Sequence, residues 1–190
     1  MTSVIRACRP ADRSAVRSVV ADAFGTEGET VAALVDDLSS EHGRVELVAE
    51  ESGAVVGHVL LSRSWVDARQ ELVEVLVLSP LSVAPGRQGR GVGTELVRAA
   101  LAEAGRLAAP AVFLEGSPKY YGARGFEPAM LRGFTRPSTR IPEPAFQVAV
   151  LESHQAWMTG GLVYCEPFWR HDCVGLRDPD LARIEQMFDS

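Results

Sequence analysis

The sequence predicts an α+β fold in which helices cover both faces of a mixed, mostly antiparallel sheet. Three observations predict it. Periodic segments follow one another as β-α-α-β-β-β-α-β-α-β, without the strict alternation of a doubly wound sheet. The turns at Ser52-Gly53 and Asp67-Ala68-Arg69-Gln70 are too short for a crossover, so the strands beside them pair antiparallel. The strands from Ala54 and Glu71 are apolar at nearly every position, which requires cover on both faces. With 190 residues, 46% of them hydrophobic and 23% charged, the chain can bury a full core and is expected to form one domain. That domain spans 1–190, with a core over about 4–151 and a C-terminal extension over 152–190.

Each element has its own signal. Val4 to Arg6 reads as a short strand. In PADRSAVRSVVADAFG, residues Val16, Val19, Val20, Ala23 and Phe24 fall on one helix face, and Gly25 stops the helix. Val31, Leu34, Val35 and Leu38 form the stripe of a second helix, over about Thr30 to Leu38. Strands follow from Val45, Ala54 and Glu71. The last of these meets Pro80, which cannot donate to a ladder, so a bulge or lost pairing is expected there. GVGTELVRAALAEAGRL is the strongest amphipathic helix. AAVFL is a buried strand, EGSPKYYGARGF a short helix and turn, and FQVAVLE another strand. A proline-rich loop from Arg132 to Pro144 separates the last two, and a tail beyond them carries VYCEPFW and a helix at Leu181–Phe188.

Composition narrows the function. The net charge is −6, and Lys119 is the only lysine, so the basic excess that displaces counterions from nucleic acid is missing. No apolar run reaches the ~18–20 residues of a membrane span, and MTSVIRACRPADR lacks the pattern of a secretory leader. The expected location is the cytoplasm, with no nucleic acid or membrane as partner. Cys8, Cys165 and Cys173 cannot close a disulfide framework, which suits a reducing compartment. Cys165, His171 and Cys173 have no evident fourth ligand for zinc, so no metal is expected. His58, flanked by Val56 and Leu60, reads as a satisfied core histidine, and His42 and His154 as surface residues.

The informative segment is LSPLSVAPGRQGRGVGTELV, where a strand gives way to a Gly/Arg-rich loop and then directly to a helix. Gly86, Gly89, Gly91 and Gly93 permit positive φ and close approach of a ligand. The first helical turn offers amides with no internal partner at the positive end of the helix dipole. Together they make a phosphate cradle, with Arg87 and Arg90 at its rim. A Walker A loop needs a lysine that is absent here. A dinucleotide fingerprint needs G-x-G-x-x-G, whereas Gly89, Gly91 and Gly93 read G-x-G-x-G. Glu115, about 20 residues on, stands where a ribose-binding acid would, so a dinucleotide-binding oxidoreductase is kept as an alternative.

Gln88-x-x-Gly91-x-Gly93, after Leu81-Ser-Val-x-Pro85, resembles the coenzyme A signature of the GCN5-related N-acetyltransferase (GNAT) superfamily. Tyr120-Tyr121-x-x-x-Gly125-Phe126 resembles its second element, a helix-borne tyrosine four residues before Gly-Phe. The resemblance covers roughly Val4 to Leu151. PLSVAP, SPKYYGARGFEPA and AFQVAVLE resemble its YhbS-like branch.

The resemblance implies a sheet splayed between strands 4 and 5 and acetyl-CoA as co-substrate. Its pantetheine arm would run along Leu81 and Val83. Its diphosphate would rest on amides of Gln88, Gly89, Arg90, Gly91, Val92, Gly93 and Thr94. It implies acetyl transfer to a primary amine of a small molecule or peptide, with Tyr121 as general acid and a backbone amide near Val83 facing the oxyanion. Tyr121 alone would read as packing under the Gly-Phe turn, and Tyr120 as its packing neighbour. Two carboxylates are candidate bases: Glu115 at the end of the fifth strand, and behind it Glu74, on the strand face of Leu76 and Leu78, where a buried carboxylate would need a partner. Trp65, Phe134, Trp157, Phe168 and Trp169 could wall the acceptor side or simply fill the core. A non-catalytic acyl-CoA sensor would share the loop without needing Tyr121. Homodimers, frequent in the superfamily, remain open for this chain.

Overall fold

The computed structural model describes residues 3–176 and 180–188. The chain forms two compact units, Met1–Ser62 with Leu78–Leu107 and Arg63–Val77 with Ala108–Ser190. Two long strands contribute to both: β3 (Ala54–Ala68) and β4 (Leu72–Val83) each have one part in either unit.

In the first unit, β1 (Val4–Ala7), β2 (Gly43–Glu51), the first part of β3 and the last part of β4 lie in that order. β1 pairs antiparallel with β2, Ile5 opposite Ala49, and β2 pairs with β3, Val48 opposite His58. Successive side chains of β2 point to opposite faces. Val48 packs with Val16 and Val20 of α1 (Arg13–Phe24) and with Ala32 and Val35 of α2 (Gly28–Glu41). The other face meets α3 (Val92–Arg106), which buries Val92, Leu96, Val97, Ala100 and Ala104. Each large aliphatic so buried contributes about 1.5–3 kcal/mol. Gly57 lets α3 come close, because a Cβ there would stand 2.9 Å from Leu96 Cδ1 and 3.1 Å from Val92 Cγ1. Gly25, with φ +56°, ends α1 as expected, but Phe24 is 38% exposed rather than on the buried stripe. The second helix continues past Ser39 to Glu41.

The second unit is built on β5 (Ala111–Glu115), which pairs antiparallel with β8 (Phe146–Val150), itself paired with the two-residue β6 (Glu127–Pro128). The ladder of β5 on β4 is parallel and has only two registered pairs, Leu76 with Val112 and Val77 with Phe113. Pro80, where a bulge or lost pairing was expected, lies inside β4. The strand passes through a cis Ser79–Pro80 peptide to Val83, while its ladder with β5 stops at Val77. The resemblance implied a β4–β5 pairing that stops short of the end of β4, and the ladder does so. β9 (Gly160–Val163) pairs antiparallel with the later part of β3, and β7 (Phe134–Thr135) runs parallel to β9. The expected proline-rich loop therefore contributes a short strand. Phe113 anchors the core, edge-on to Phe134 at 4.9 Å and stacked on Phe146 at 5.7 Å. Three helices complete the unit: α4 (Pro118–Gly122), α5 (Glu166–Arg170) and α6 (Asp180–Phe188). No helix among the described residues is long and apolar enough to cross a membrane.

Candidate active site

The loop from Pro85 to Gly91 forms because three constraints act in sequence. Pro85 opens a single 3₁₀ turn, closed by Arg87 N–H donating to the Ala84 carbonyl at 2.8 Å. Gly89 and Gly91 then take φ of +72° and +91°, and a Cβ on either would meet nothing within 4 Å. They are glycines for the sake of backbone angle, not packing, and their open side is free for a ligand. Gly91 caps α3, whose first internal bond is Glu95 N–H to the Gly91 carbonyl at 3.1 Å. Val92, Gly93 and Thr94 all stand ahead of that bond. The amides of Gly89, Gly91, Val92 and Gly93 have no partner of hydrogen-bond geometry among the described residues. This is the donor-rich, positive helix end on which anions settle.

Other loop groups are already engaged. The Gln88 amide donates to the Pro85 carbonyl at 3.4 Å, and its side-chain Nε2 donates to the Val83 carbonyl at 3.0 Å. Gln88 thus ties the loop back to the end of β4. Arg87 forms an ion pair with Glu51 at 2.9 Å, while Arg90 is exposed. At that end of β4, Leu81 and Val83 are half-buried and Ser82 between them is buried, so the first two share the more open strand face.

In the second unit, Ser117 caps α4 by accepting from the Tyr120 amide at 3.3 Å. Tyr121 follows, edge-on to Tyr120 at 4.9 Å and to Phe126 at 5.7 Å. Its ring lies over Gly116: a Cβ there would be 2.8 Å from Tyr121 Cδ2 and closer still to Cε2. The phenol hydroxyl has no hydrogen-bond partner among the described residues. Burial, with a smaller contribution from Tyr120, pushes its pKa up to about 12. Tyr120 instead lies under the Arg124 guanidinium, 3.6 Å from the ring centroid.

Glu115 ends β5 with its carboxylate enclosed. Oε1 accepts from the Tyr164 hydroxyl at 2.8 Å and Oε2 from the Gly175 amide at 3.1 Å. Burial raises its pKa to about 7 against the opposing pull of those two bonds. Tyr164 is buried and its own pKa is raised well above the usual phenol value, by burial first and then by Glu115. Tyr164 and Gly175 escaped the sequence reading. The only available signal was a polar hydroxyl in the otherwise apolar VYCEPFW, and their distance along the chain from Glu115 hides the pairing.

Glu74 is exposed on β4, which corrects its expected burial: it is flanked by the buried Val73 and Val75 and points to solvent. His58 is fully buried, and its Nε2 lies 2.9 Å from Glu46 Oε1. His42 and His154 are half-buried rather than surface residues, His154 packing edge-on to Phe134 at 6.0 Å. Of the five aromatics, Phe134 and Phe168 are core residues, Trp65 and Trp157 are half-buried, and Trp169 is 43% exposed. Among the described residues no group of three His, Cys, Asp or Glu side chains could hold a metal ion. The parallel pairings, β4 with β5 and β7 with β9, do not build the successive βαβ units of a dinucleotide-binding fold.

Comparison with known proteins agrees. The profile described as "Acetyltransferase (GNAT) family" matches residues 14–126. The uncharacterized N-acetyltransferase YjhQ of Escherichia coli (strain K12) is 33% identical over 173 residues, 89% of either chain. Among solved structures, the Escherichia coli GNAT family N-acetyltransferase YhbS in complex with CoA is 28% identical with a TM-score of 0.78, over 90% of this chain and 93% of that one. A GNAT family acetyltransferase from Brucella melitensis, in complex with acetyl-CoA, is 28% identical with a TM-score of 0.71, over 87% of this chain and 97% of that one. By profile, by sequence and by fold, this chain belongs to the acetyltransferase (GNAT) family.

Proposed function

We propose that the protein is an acetyl-CoA-dependent N-acetyltransferase that transfers acetyl directly to the primary amine of a small molecule or peptide, acting as one catalytic domain in the cytoplasm. Cys8, Cys165 and Cys173, none of them in a disulfide, support that location. The observation that carries the reading is the run of amides ahead of Glu95, kept open by Gly89 and Gly91 at positive φ. Relatives of the same fold are solved with CoA and with acetyl-CoA. In this reading the segment Gly89 to Thr94 holds the diphosphate, Gln88 ties that loop to β4 instead of donating its amide, and Leu81 and Val83 line the pantetheine arm.

Two groups then divide the proton work. An alkylammonium of pKa near ~10 must lose a proton before its nitrogen can attack. Glu115, at about 7, is a stronger base than an ordinary carboxylate and takes this role ahead of the exposed Glu74. As the C–N bond forms and the C–S bond breaks, the nitrogen sheds its second proton and the departing thiolate gains one from Tyr121. The phenol then recovers its proton, so the net products are amide, thiol and one released proton. With Tyr121 at about 12 and a thiol near ~8.5, that transfer runs uphill by about 5 kcal/mol. The cost fits inside the barrier of about 16 kcal/mol implied by a turnover of ~10 s⁻¹. Tyr121 is therefore a competent acid provided its oxygen is resupplied as it donates.

The test is Gly91→Val. A β-branched residue at φ +91° is strained and crowds the cradle, so acetyl-CoA affinity by calorimetry should fall at least 100-fold in a folded variant. Unchanged affinity removes the assignment. A non-catalytic acyl-CoA sensor would bind acetyl-CoA yet release no thiol with any amine.

A further inference from the structure

The second unit carries a half-open cavity of about 480 Å³ whose lining includes Glu115, Pro142, Ala145, Leu176, Ile184 and Met187. Its volume lies within the ~300–1,000 Å³ typical of small-molecule sites. The walls are mostly hydrocarbon, contributed by the loop before β8, by Leu176 and by one side of α6. Among the described residues that line it, Glu115 is the single charged group.

That carboxylate is unusual in what it lacks. Its hydrogen-bond donors, the Tyr164 hydroxyl and the Gly175 amide, are both neutral. Among the described residues no cation forms an ion pair with it: Arg140 acts on Glu115 only through its field, its own direct partner being Asp172 at 3.0 Å. A carboxylate accepts about four hydrogen bonds, so capacity remains beyond those two. Buried charge without a directly bonded counter-ion is costly, and a cation entering the cavity would reduce that cost. Building on the acetyltransferase reading, we infer that this cavity is the acceptor site, and that its substrate is a primary amine with an apolar aryl or branched alkyl body. The ammonium sits on Glu115 and the body lies against Ala145, Leu176 and Ile184. A second charge further along the substrate, as in a diamine, would be driven against hydrocarbon. Tyr164 serves as a positioning residue that fixes the carboxylate. In the transfer itself Glu115 accepts one ammonium proton and passes it to solvent, while the nitrogen gains the acetyl carbon and sulfur leaves.

The experiment uses the full chain with phenethylamine, ethylamine and putrescine as probes. Calorimetry without acetyl-CoA reads amine binding, and thiol release from acetyl-CoA reads turnover. Phenethylamine should have a kcat/KM at least tenfold above putrescine. Glu115→Gln should weaken phenethylamine binding at least tenfold and leave acetyl-CoA affinity unchanged. Ala145→Leu, which narrows the cavity while keeping the carboxylate, should raise KM for phenethylamine several-fold more than for ethylamine. Putrescine used as well as phenethylamine, or phenethylamine binding indifferent to Glu115→Gln, overturns the inference while leaving a working transferase. Glu115-dependent phenethylamine binding with no thiol release on any amine supports the cavity assignment and overturns the acetyltransferase reading instead.

Discussion

Each unit holds a glutamate drawn into its interior, and their surroundings set them to opposite tasks. Glu46, on β2, accepts both terminal nitrogens of Arg13 at 2.7 and 2.5 Å, the Ser39 hydroxyl at 3.2 Å and His58 Nε2 at 2.9 Å. Burial alone would raise its pKa, but the bonds from His58 and Arg13 outweigh burial and hold it at about 2. Glu115 receives two bonds from neutral donors, and burial prevails at about 7. One carboxylate stays ionised down to about pH 2 and is spent on structure. The other changes protonation near neutrality and retains unfilled capacity. Whether the surroundings supply a cation decides whether a buried carboxylate is structural or available for chemistry.

The largest effect expected from breaking this contrast is on stability. Glu46→Gln leaves Arg13 and His58 without their anion, so unfolding free energy by urea denaturation should fall by about 3 kcal/mol. kcat/KM per folded molecule should stay within twofold. A fully stable variant would mean that Glu46 is as uncommitted as Glu115.

Next in size is a test of the residue beside Glu115. Gly116→Ala places a methyl where the Tyr121 ring lies. The ring must shift, and kcat should fall about 30-fold, roughly 2 kcal/mol, with acetyl-CoA affinity unchanged. Tyr121→Phe should lower kcat about 100-fold by removing the acid, a drop that Gly116→Ala approaches without removing the phenol. Normal turnover in Gly116→Ala would show that the position of the ring is immaterial.

The effect that is smallest over any one pH unit is a slope. Glu115 rises from 4.5 in the unfolded chain to about 7 when folded, so the folded state holds more protons between those values. Its contribution is complete below pH 4.5 and is lost as pH rises through about 7. Glu46 falls from 4.5 to about 2, so its contribution is present above 4.5 and is lost as pH drops through about 2. Each slope is at most about 1.4 kcal/mol per pH unit. Glu115→Gln should flatten the stability curve only between 4.5 and 7, and Glu46→Gln only between 2 and 4.5. Both variants flattening the same window would erase the distinction.

The sequence carried much of this because local rules dominated where they applied. The α3 stripe, Gly25 as a helix stop and the loop glycines follow from periodicity and backbone angle, which neighbours in the chain reveal. β6 and β7, at two residues each, are too short to show a period, and β9 reads Gly-Gly-Leu-Val with little intrinsic strand preference. Gly160 is required there because a Cβ would strike the Asp67 backbone of β3, 3.0 Å from its carbonyl carbon, a contact made across a long stretch of chain. Glu115 could be nominated from its place at a strand end. What makes it reactive comes from Tyr164 and Gly175, 49 and 60 residues away, which no short-range pattern reports. Glu74 failed for the converse reason: strand alternation gave its face, which is buried at Leu76 and Leu78, and the sequence could not say that this face opens to solvent at the start of β4.

The most direct test of Glu115 as the acceptor's base is the pH dependence of kcat/KM for acetyl transfer to phenethylamine. Wild type should rise tenfold per unit, bend at about 7 where Glu115 ionises, and hold level until the amine itself titrates near ~10. Glu46→Gln should keep that bend and Glu115→Gln should lose it. A bend at about 7 that survives in Glu115→Gln would contradict the account.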